Sequence, residues 1–298
     1  MFARRHPILF SVLIMCTIGA VVIISVTALF FFGKRDSGFE FGEKVGVIEI
    51  NGIIADPKTV LTHFKELRLD RDVKAIVLRI DSPGGGVGPS QEIYREVKKT
   101  RRLKKVVASL GAIAASGGYY VAAAADHVMA NPGTITGSIG VIMEFANLEE
   151  LFKKVGVSAF VLKSGRYKDV GSPLRQMRPE EKRLLQGFID NVHEQFVTAV
   201  AEGRKISVEE VRAVADGRVL SGEQARKLGL LDSLGNLEDA IAMAAKLGGI
   251  KGEPAVFYAK KKKFSLLEYF FGSSLTEVLD EITGAARHGG YIWAPARS

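Results

Sequence analysis

Residues 73–90 read VKAIVLRIDSPGGGVGPS, an apolar run that ends in a polar turn with three consecutive glycines. The run has the length and the β-branched content of a strand buried on both faces, and the residues after the turn predict a helix to about Arg102. The same order recurs at residues 106–125, where a short apolar run leads into a glycine-containing stretch and an alanine-rich helix. Strand, glycine-containing turn and helix in succession predict an α/β fold with a parallel sheet.

The segments on either side extend this pattern. In parallel sheets, ligands bind at the carboxyl ends of the strands, which is where both glycine-containing turns fall. Apolar residues at spacings of three and four predict a long amphipathic helix between Leu184 and Val200. The other predicted elements are a strand at residues 44–54 and helices at residues 60–69, 208–215, 222–228 and 237–247.

The composition is that of a chain with a buried core. Of the 298 residues, 47% are hydrophobic and 25% are charged, which excludes disorder throughout. The single cysteine, Cys16, lies in the N-terminal apolar segment, so the folded part has no thiol for a disulfide, a metal ligand or a nucleophile. A formal net charge of +8 fits nucleic-acid binding, an anionic membrane surface, or solubility alone.

Two basic clusters contribute to this charge. Residues 98–105 close a predicted helix, where cations suit the negative end of the dipole, so we interpret them as a solvated helix end rather than a nucleic-acid site. Residues 260–263 precede the sequence FSLLEYFF, and this combination fits either contact with anionic lipid or a buried terminal helix.

The N-terminal segment predicts a membrane anchor. Residues 8–32 contain no charged side chain and lie between two pairs of basic residues, Arg4 and Arg5 before and Lys34 and Arg35 after. At about 1.5 Å per residue, a helix of this length spans a hydrocarbon core of roughly 30 Å. A cleavable signal peptide has a shorter apolar stretch and a small-x-small site, so we predict an uncleaved transmembrane helix at residues 8–32, after a short flank at residues 1–7. A polar tether follows at residues 33–43, and the equal basic flanks leave the orientation undecided.

Ser116 is the first candidate for chemistry. It lies between a predicted strand and a predicted helix, where unpaired backbone N–H groups suit a nucleophile with an oxyanion hole. A plain helix N-cap explains the same position. Gly84, Gly85 and Gly86 either expose N–H groups to a ligand or form an ordinary wide turn. No Gly-Lys-Ser/Thr follows them, which argues against a nucleotide-binding P-loop.

A serine nucleophile needs a base, and the sequence leaves two kinds open. No histidine has a context that singles it out as the base. The alternative is a lysine made neutral by burial, and Lys163 and Lys168 are candidates in a segment that follows a predicted apolar strand. The five histidines are His6, His63, His127, His193 and His288.

Four motifs together resemble a known family. They occur in the order in which they appear as signatures of signal peptide peptidase A, short bacterial form, and the likeness covers about residues 45–234. The motifs are Asp81-Ser82-Pro83-Gly84-Gly85-Gly86, Ala115-Ser116-Gly117-Gly118-Tyr119-Tyr120, Thr136-Gly137-Ser138-Ile139-Gly140-Val141 and Ser164-Gly165-Arg166-Tyr167-Lys168-Asp169.

The resemblance implies a Ser-Lys dyad protease of the Clp-protease/crotonase-like superfamily, with a ββα spiral fold and a catalytic domain at residues 44–250. Ser116 is then the nucleophile and Lys168 the general base. Ser138 orients the lysine amine, and the N–H groups of Gly85 and Gly117 form the oxyanion hole. The resemblance implies no metal and no organic cofactor.

The same resemblance implies partners and a location. It predicts a homo-oligomer, a dome-like octamer in which neighbours complete the sites, with the catalytic domain on the extracytoplasmic side of the inner membrane. Cleaved signal peptides and other apolar peptides are the expected substrates, and nucleic acid is not a partner. Residues 251–298 match no motif and have no predicted role. Three alternatives stay open: a crotonase-like acyl-CoA enzyme, a catalytically silent membrane scaffold, and another membrane-bound Clp-class protease with a regulatory substrate.

Overall fold

A computed structural model of the chain describes residues 8, 15–21, 24–25 and 42–259. The chain divides into two units, Met1–Gly42 and Glu43–Ser298. In the first unit residues 15–21 are helical, and most of the predicted anchor at residues 8–32 lies outside the described residues. None of the helices that the structure describes is both long and apolar enough to cross a bilayer.

The second unit is built on one mixed sheet. Within residues 42–259 the strands run in the order β6-β5-β3-β2-β1-β8, with β4 paired to β3 and β7 paired to β4. All pairs are parallel except β5 with β6. The strands are β1 (Lys44–Asn51), β2 (Val73–Ser82), β3 (Lys105–Ala115), β4 (His127–Ala130), β5 (Ile135–Gly137), β6 (Val219–Ser221), β7 (Ser233–Leu234) and β8 (Ala255–Tyr258).

Helices cover both faces of this sheet. They are α1 (Lys58–Leu69), α2 (Val87–Thr100), α3 (Gly117–Ala122), α4 (Glu149–Lys154), α5 (Pro179–Arg204), α6 (Val208–Arg212), α7 (Gly222–Lys227) and α8 (Leu237–Gly248). Because side chains alternate along a strand, Ile76, Leu78 and Ile80 of β2 enter the larger core, on the side of α1, α2 and α5. Val77 and Ala75 enter a smaller core against α8. Both faces are therefore buried, as the uninterrupted apolar run in β2 predicts.

The predicted α/β class with a parallel sheet is confirmed, and two local predictions are corrected. The short apolar run that begins at residue 106 is part of β3, which continues through the predicted turn to Ala115, and the helix after it begins at Gly117. The strand predicted before Lys163 is wrong, because residues 157–163 are exposed and irregular and pair with no strand. An apolar stretch without a sheet neighbour has no partner for its backbone groups and forms no ladder.

Three strand ends meet at one edge of the sheet. β3 pairs with β2 on one side, through Ser82 and Ala114, and with β5 on the other, through Ala115 and Gly137. The glycine loop after β2, the residues after β3 and the residues after β5 are thereby brought together. This edge is the carboxyl end of the parallel strands, the place where the sequence predicts the site.

Candidate active site

The glycine loop after β2 packs directly on the residues that follow β3. Gly84 has φ +105°, a conformation that favours glycine, and a Cβ placed on it would lie 2.7 Å from the backbone nitrogen of Gly117. A Cβ on Gly85 would lie 2.3 Å from the carbonyl oxygen of Ile54. Two hydrogen bonds fix the loop, from Ile54 N to Gly84 O and from Gly86 N to Ile54 O, each 2.9 Å long. Glycine is therefore required here by close approach of backbone to backbone.

Ser116 occupies a strained backbone position between β3 and α3. Its φ of 51° and ψ of −122° lie outside the regions that non-glycine residues ordinarily adopt, and its side chain is half-buried. Its N–H donates to Gly137 O at 2.9 Å, and its carbonyl accepts from Tyr120 N at 2.8 Å. The hydroxyl makes no capping hydrogen bond to α3, although the residue is at the N-cap. A capping role does not account for this serine, and strain of this kind is typical of functional sites.

Two backbone N–H groups next to Ser116 have no acceptor. Gly85 N and Gly117 N donate to no residue within 42–259, and Gly117 is the first residue of α3, where N–H groups have no partner within the helix. A Cβ on Gly117 would lie 3.3 Å from Gly85 N, which shows how closely the two segments approach. Unpaired N–H groups beside a serine can donate hydrogen bonds to the oxyanion of a tetrahedral intermediate.

Ser138 lies at the matching position after β5. Because Ala115 and Gly137 are paired, Ser116 and Ser138 are the next residues of two adjacent strands. Ser138 has φ 50°, and its N–H donates to Arg218 O at 2.8 Å. Among the described residues, one other non-glycine residue has positive φ, Lys205, which forms the left-handed C-cap of α5. The two positive-φ positions that capping does not explain are therefore the two predicted serines.

Lys168 is not joined to these serines within one chain. It lies in a segment that we name the lysine arm, residues 140–178, and its side chain is exposed. Its amine has no hydrogen-bond or ion-pair partner in the part of the chain that the structure describes. Lys163, the other candidate, is exposed too, but it pairs with Asp169. The structure thus assembles Ser116, Ser138, Gly85 and Gly117, and leaves Lys168 apart from them.

An ion network holds the residues around Lys168. Arg175 bonds Asp169 at 2.9 Å and Glu181 at 2.6 Å, and Glu181, whose side chain is fully buried, also pairs with Arg178. Hydrogen bonds from Arg175 lower the pKa of both Asp169 and Glu181 far below the usual range of carboxyl groups. The network connects the lysine arm to the first turn of α5.

The histidines do not supply a base to Ser116. His127 Nε2 is 2.7 Å from Ser233 Oγ, and burial lowers its pKa. His63 is buried in α1, His193 lies on α5, and no hydrogen bond joins either to Ser116. His6 and His288 lie outside the described residues. Within residues 42–259 no histidine is hydrogen-bonded to Ser116, and the lysine base stays a prediction.

Three polar residues near the site were not singled out from the sequence. Ser90 is buried on α2, donates to Gly86 O at 2.9 Å, and has its Oγ 2.4 Å from the place of a Cβ on Gly117. Asp81 accepts two backbone N–H groups of β3, and Thr136 donates to Ala114 O at 2.8 Å. Asp81 and Thr136 lie within the quoted motifs. Their hydrogen-bond partners depend on how the strands pair, and a local sequence pattern does not predict strand register. No cluster of three metal-binding side chains occurs among the residues described.

Comparisons with known proteins point to a peptidase family. A family model described as "Peptidase family S49" matches residues 98–251. The Synechocystis sp. protein slr0021, named as a candidate protease, is 51% identical over 210 residues, which are 70% of this chain and 76% of that protein. A protein of Enterococcus faecium, named as a candidate signal peptide peptidase SppA, is 37% identical over 67% of this chain and 62% of its own length.

A comparison of structures supports the fold. A mutant of the 1510-N membrane-bound stomatin-specific protease superposes with a TM-score of 0.50 at 16% identity, and the match covers 74% of this chain and 99% of that one. At this identity the likeness shows the fold alone.

Proposed function

The chain belongs to peptidase family S49, and from that membership we propose that it is a membrane-anchored endopeptidase that degrades cleaved signal peptides with a Ser116–Lys168 dyad. It is a protease of the serine type, similar to signal peptide peptidase SppA. We also propose that its sheet and helices form the ββα spiral of Clp-like proteases. One observation carries the nucleophile assignment: strained Ser116 lies beside the unpaired N–H groups of Gly85 and Gly117.

The proposed reaction is acyl transfer in two halves. The neutral Lys168 amine takes the hydroxyl proton of Ser116 while Oγ bonds to the peptide carbonyl carbon. The N–H groups of Gly85 and Gly117 donate to the oxyanion. The C–N bond then breaks as the Lys168 ammonium gives its proton to the leaving amine. Water attacks the ester, Lys168 takes a proton from it and returns one to Ser116, and the acid product leaves.

Ser138 is proposed to orient the lysine. Its position after β5, adjacent to Ser116, lets its hydroxyl accept from a lysine amine that approaches Ser116. Its positive φ sets the direction of its Cα–Cβ bond. This serine would hold the amine with a lone pair aimed at the Ser116 proton.

Assembly and substrate complete the proposal. Lys168 is exposed and apart from the Ser116 of its own chain, which supports a homo-oligomer, an octamer by resemblance, in which one copy supplies the lysine to another. The anchor at residues 8–32 would hold the catalytic domain against the extracytoplasmic face of the inner membrane. Signal peptides released in that membrane carry apolar cores and are the peptides nearest to such a site.

The dyad is tested by substitution in the full chain, purified in detergent and given a fluorogenic peptide with apolar residues. We expect Ser116→Ala and Lys168→Ala each to lower kcat/KM by about 10³-fold or more, because members of one catalytic unit fail together. Lys182→Ala, at an exposed lysine on α5, is the matched control and should keep full activity. Activity that survives Lys168→Ala would contradict the dyad.

The same variants separate the rival functions. A crotonase-like acyl-CoA enzyme has no serine nucleophile, so Ser116→Ala would leave its activity largely intact; the family match already favours a peptidase. A silent scaffold would not react with a serine-directed acylating probe, whereas the proposed enzyme should be labelled in the wild type and not in Ser116→Ala. Neither readout depends on the natural substrate. A membrane-bound protease with a regulatory substrate would give the same two results, because it is also a serine protease.

A further inference from the structure

The strand that carries Ser116 contains a bulge immediately before the site. Ile80 of β2 pairs with Leu110 of β3, but the next pair is Ser82 with Ala114. One residue of β2, Asp81, therefore faces three residues of β3. The extra residues lie between the part of β3 that pairs with β4 and the part that pairs with β5. Bulges re-aim the residues that follow them and are frequent next to active sites.

The Asp81 carboxylate satisfies the backbone groups that this bulge leaves unpaired. Its two oxygens accept from Ala112 N at 3.3 Å and from Ile113 N at 3.2 Å. It also packs on Gly111, where an added Cβ would lie 2.6 Å from Asp81 Oδ2.

Two threonines hold the other side of the bulge. Thr134 Oγ1 donates to Gly111 O at 2.7 Å, and Thr136 Oγ1 donates to Ala114 O at 2.8 Å. Both threonines are buried. Asp81 of β2 therefore binds two N–H groups of the bulge, and the threonines bind the carbonyls at its start and just after its end.

We infer that Asp81 is a positioning residue for the reaction: its carboxylate fixes the bulge, and the bulge places Ser116 against the N–H groups of Gly85 and Gly117. The inference rests on the proposed role of Ser116 as nucleophile. If the bulge closed by one residue, Ser116 would move by about 3.3 Å along the strand and its side chain would point to the other face. A displacement of about 1 Å is enough to cost roughly 100-fold in rate.

Asp126, the residue before β4, provides a matched control that contacts the same strand, β3. Its carboxylate also accepts a backbone N–H of β3, from Val106 at 3.0 Å, and it forms ion pairs with Arg101 and Lys105. It lies at the opposite end of β3 from Ser116. Asp126→Asn therefore tests loss of a carboxylate that supports β3 without disturbing the bulge.

The experiment compares Asp81→Asn, Gly111→Ala and Asp126→Asn in the full chain, with Ser116→Ala as reference. Asparagine keeps the shape of aspartate but presents an N–H group to one of the two donors, and alanine at residue 111 displaces the carboxylate without removing its charge. For both we expect kcat to fall about 10- to 100-fold with KM within about twofold of wild type. The rate of labelling by a serine-directed acylating probe should fall by the same factor. Asp126→Asn should lower the melting temperature and leave kcat unchanged.

Three outcomes would overturn the inference. Wild-type kcat in Asp81→Asn would show that the carboxylate does not position Ser116. Equal loss of kcat in Asp126→Asn would show a general effect of β3 stability. Full activity in Ser116→Ala would instead remove the proposed function itself, and the inference with it. If Asp81→Asn does not fold, the kcat of Gly111→Ala is compared with that of Asp126→Asn instead, and the same outcomes apply.

Discussion

At the residue scale, the site depends on backbone positions that few residue types can occupy. Ser116 and Ser138 keep positive φ although serine gains nothing from it, so the surrounding hydrogen bonds must hold them there. Gly84 and Gly85 leave no space for a side chain between Ile54 and the first residue of α3. The predicted catalytic residues and the constrained backbone positions therefore lie within a few residues of each other, at the ends of β2, β3 and β5.

A pair of glycine substitutions tests this view of the oxyanion hole. Gly85→Ala would place a Cβ 2.3 Å from the carbonyl oxygen of Ile54, so the loop must shift and its N–H must turn from the site. We expect kcat to fall about 10²- to 10³-fold, the usual cost of one oxyanion donor. The measurement is steady-state cleavage of the fluorogenic peptide.

Gly88→Ala is the control for that substitution. Gly88 lies in α2, and a Cβ on it would meet nothing within 4 Å. Alanine should leave kcat unchanged and stabilise the fold by about 0.5–1 kcal/mol, because glycine inside a helix is unfavourable by that amount. A comparable loss of activity in both variants would mean that any substitution in this region lowers activity, and the oxyanion argument would fail.

At the element scale, the lysine arm is attached to the helix that follows it through charges. Glu181 lies in the first turn of α5, is fully buried, and is held by Arg175 and Arg178. Arg175 also holds Asp169, the neighbour of Lys168. Because removal of one partner from a buried pair leaves the other charges unpaired, this network is a sensitive point of the arm.

Glu181→Gln should therefore loosen the arm. We expect a melting temperature lower by a few degrees, faster proteolytic cleavage within residues 140–178, and reduced kcat in the peptide assay. Glu180→Gln is the control, because the Glu180 side chain is partly exposed and pairs with Arg166 and Arg178 at the surface. Equal effects of the two variants would contradict a special role for the buried carboxylate.

The difference in melting temperature between wild type and Glu181→Gln should depend on pH in a definite direction. Arginine hydrogen bonds lower the pKa of Glu181 from its ordinary value of 4.5, so the folded state keeps this group ionised where the unfolded state protonates. Its contribution to stability is full above about pH 5 and is lost progressively as the pH falls further. The gap in melting temperature between wild type and Glu181→Gln should be constant near neutral pH and shrink below about pH 4.5.

Some secondary-structure elements can be predicted from the sequence and others cannot. The buried strand β2, the helices α2 and α5 and the glycine-containing turn after β2 follow from periodicity and composition, because each is long or strongly patterned. The second glycine-containing stretch, predicted as a turn, is instead the end of β3. The strands β4 to β8 were not predicted: each has at most four residues and exists through pairing with distant segments. For the same reason the bulge opposite Asp81 and the strain at Ser138 have no local signal.

At the scale of the whole molecule, one chain does not join Lys168 to Ser116, and the lysine arm exposes large apolar side chains. Ile142, Phe160 and Leu162 of the lysine arm are 80%, 87% and 91% exposed. Side chains of this size clustered on one segment are typical of a surface that another protein covers. A second copy that covered the arm would bury these residues and could receive Lys168 at its own Ser116, which joins the proposed assembly to the proposed chemistry.

Mixing two inactive variants decides whether the dyad forms between copies. Full chains with Ser116→Ala and with Lys168→Ala are co-expressed, purified in detergent and assayed against each variant alone. If one copy supplies the lysine and its neighbour the serine, random mixing leaves about a quarter of the sites complete, so activity should return to about a quarter of wild type. Ser116→Ala co-expressed with the double variant is the control, since no pairing in that mixture completes a site. Activity that stays at background in the first mixture, with oligomers of normal size, would place both groups of the dyad in one chain, and the exposure of Lys168 would then require the arm to fold back onto its own sheet edge.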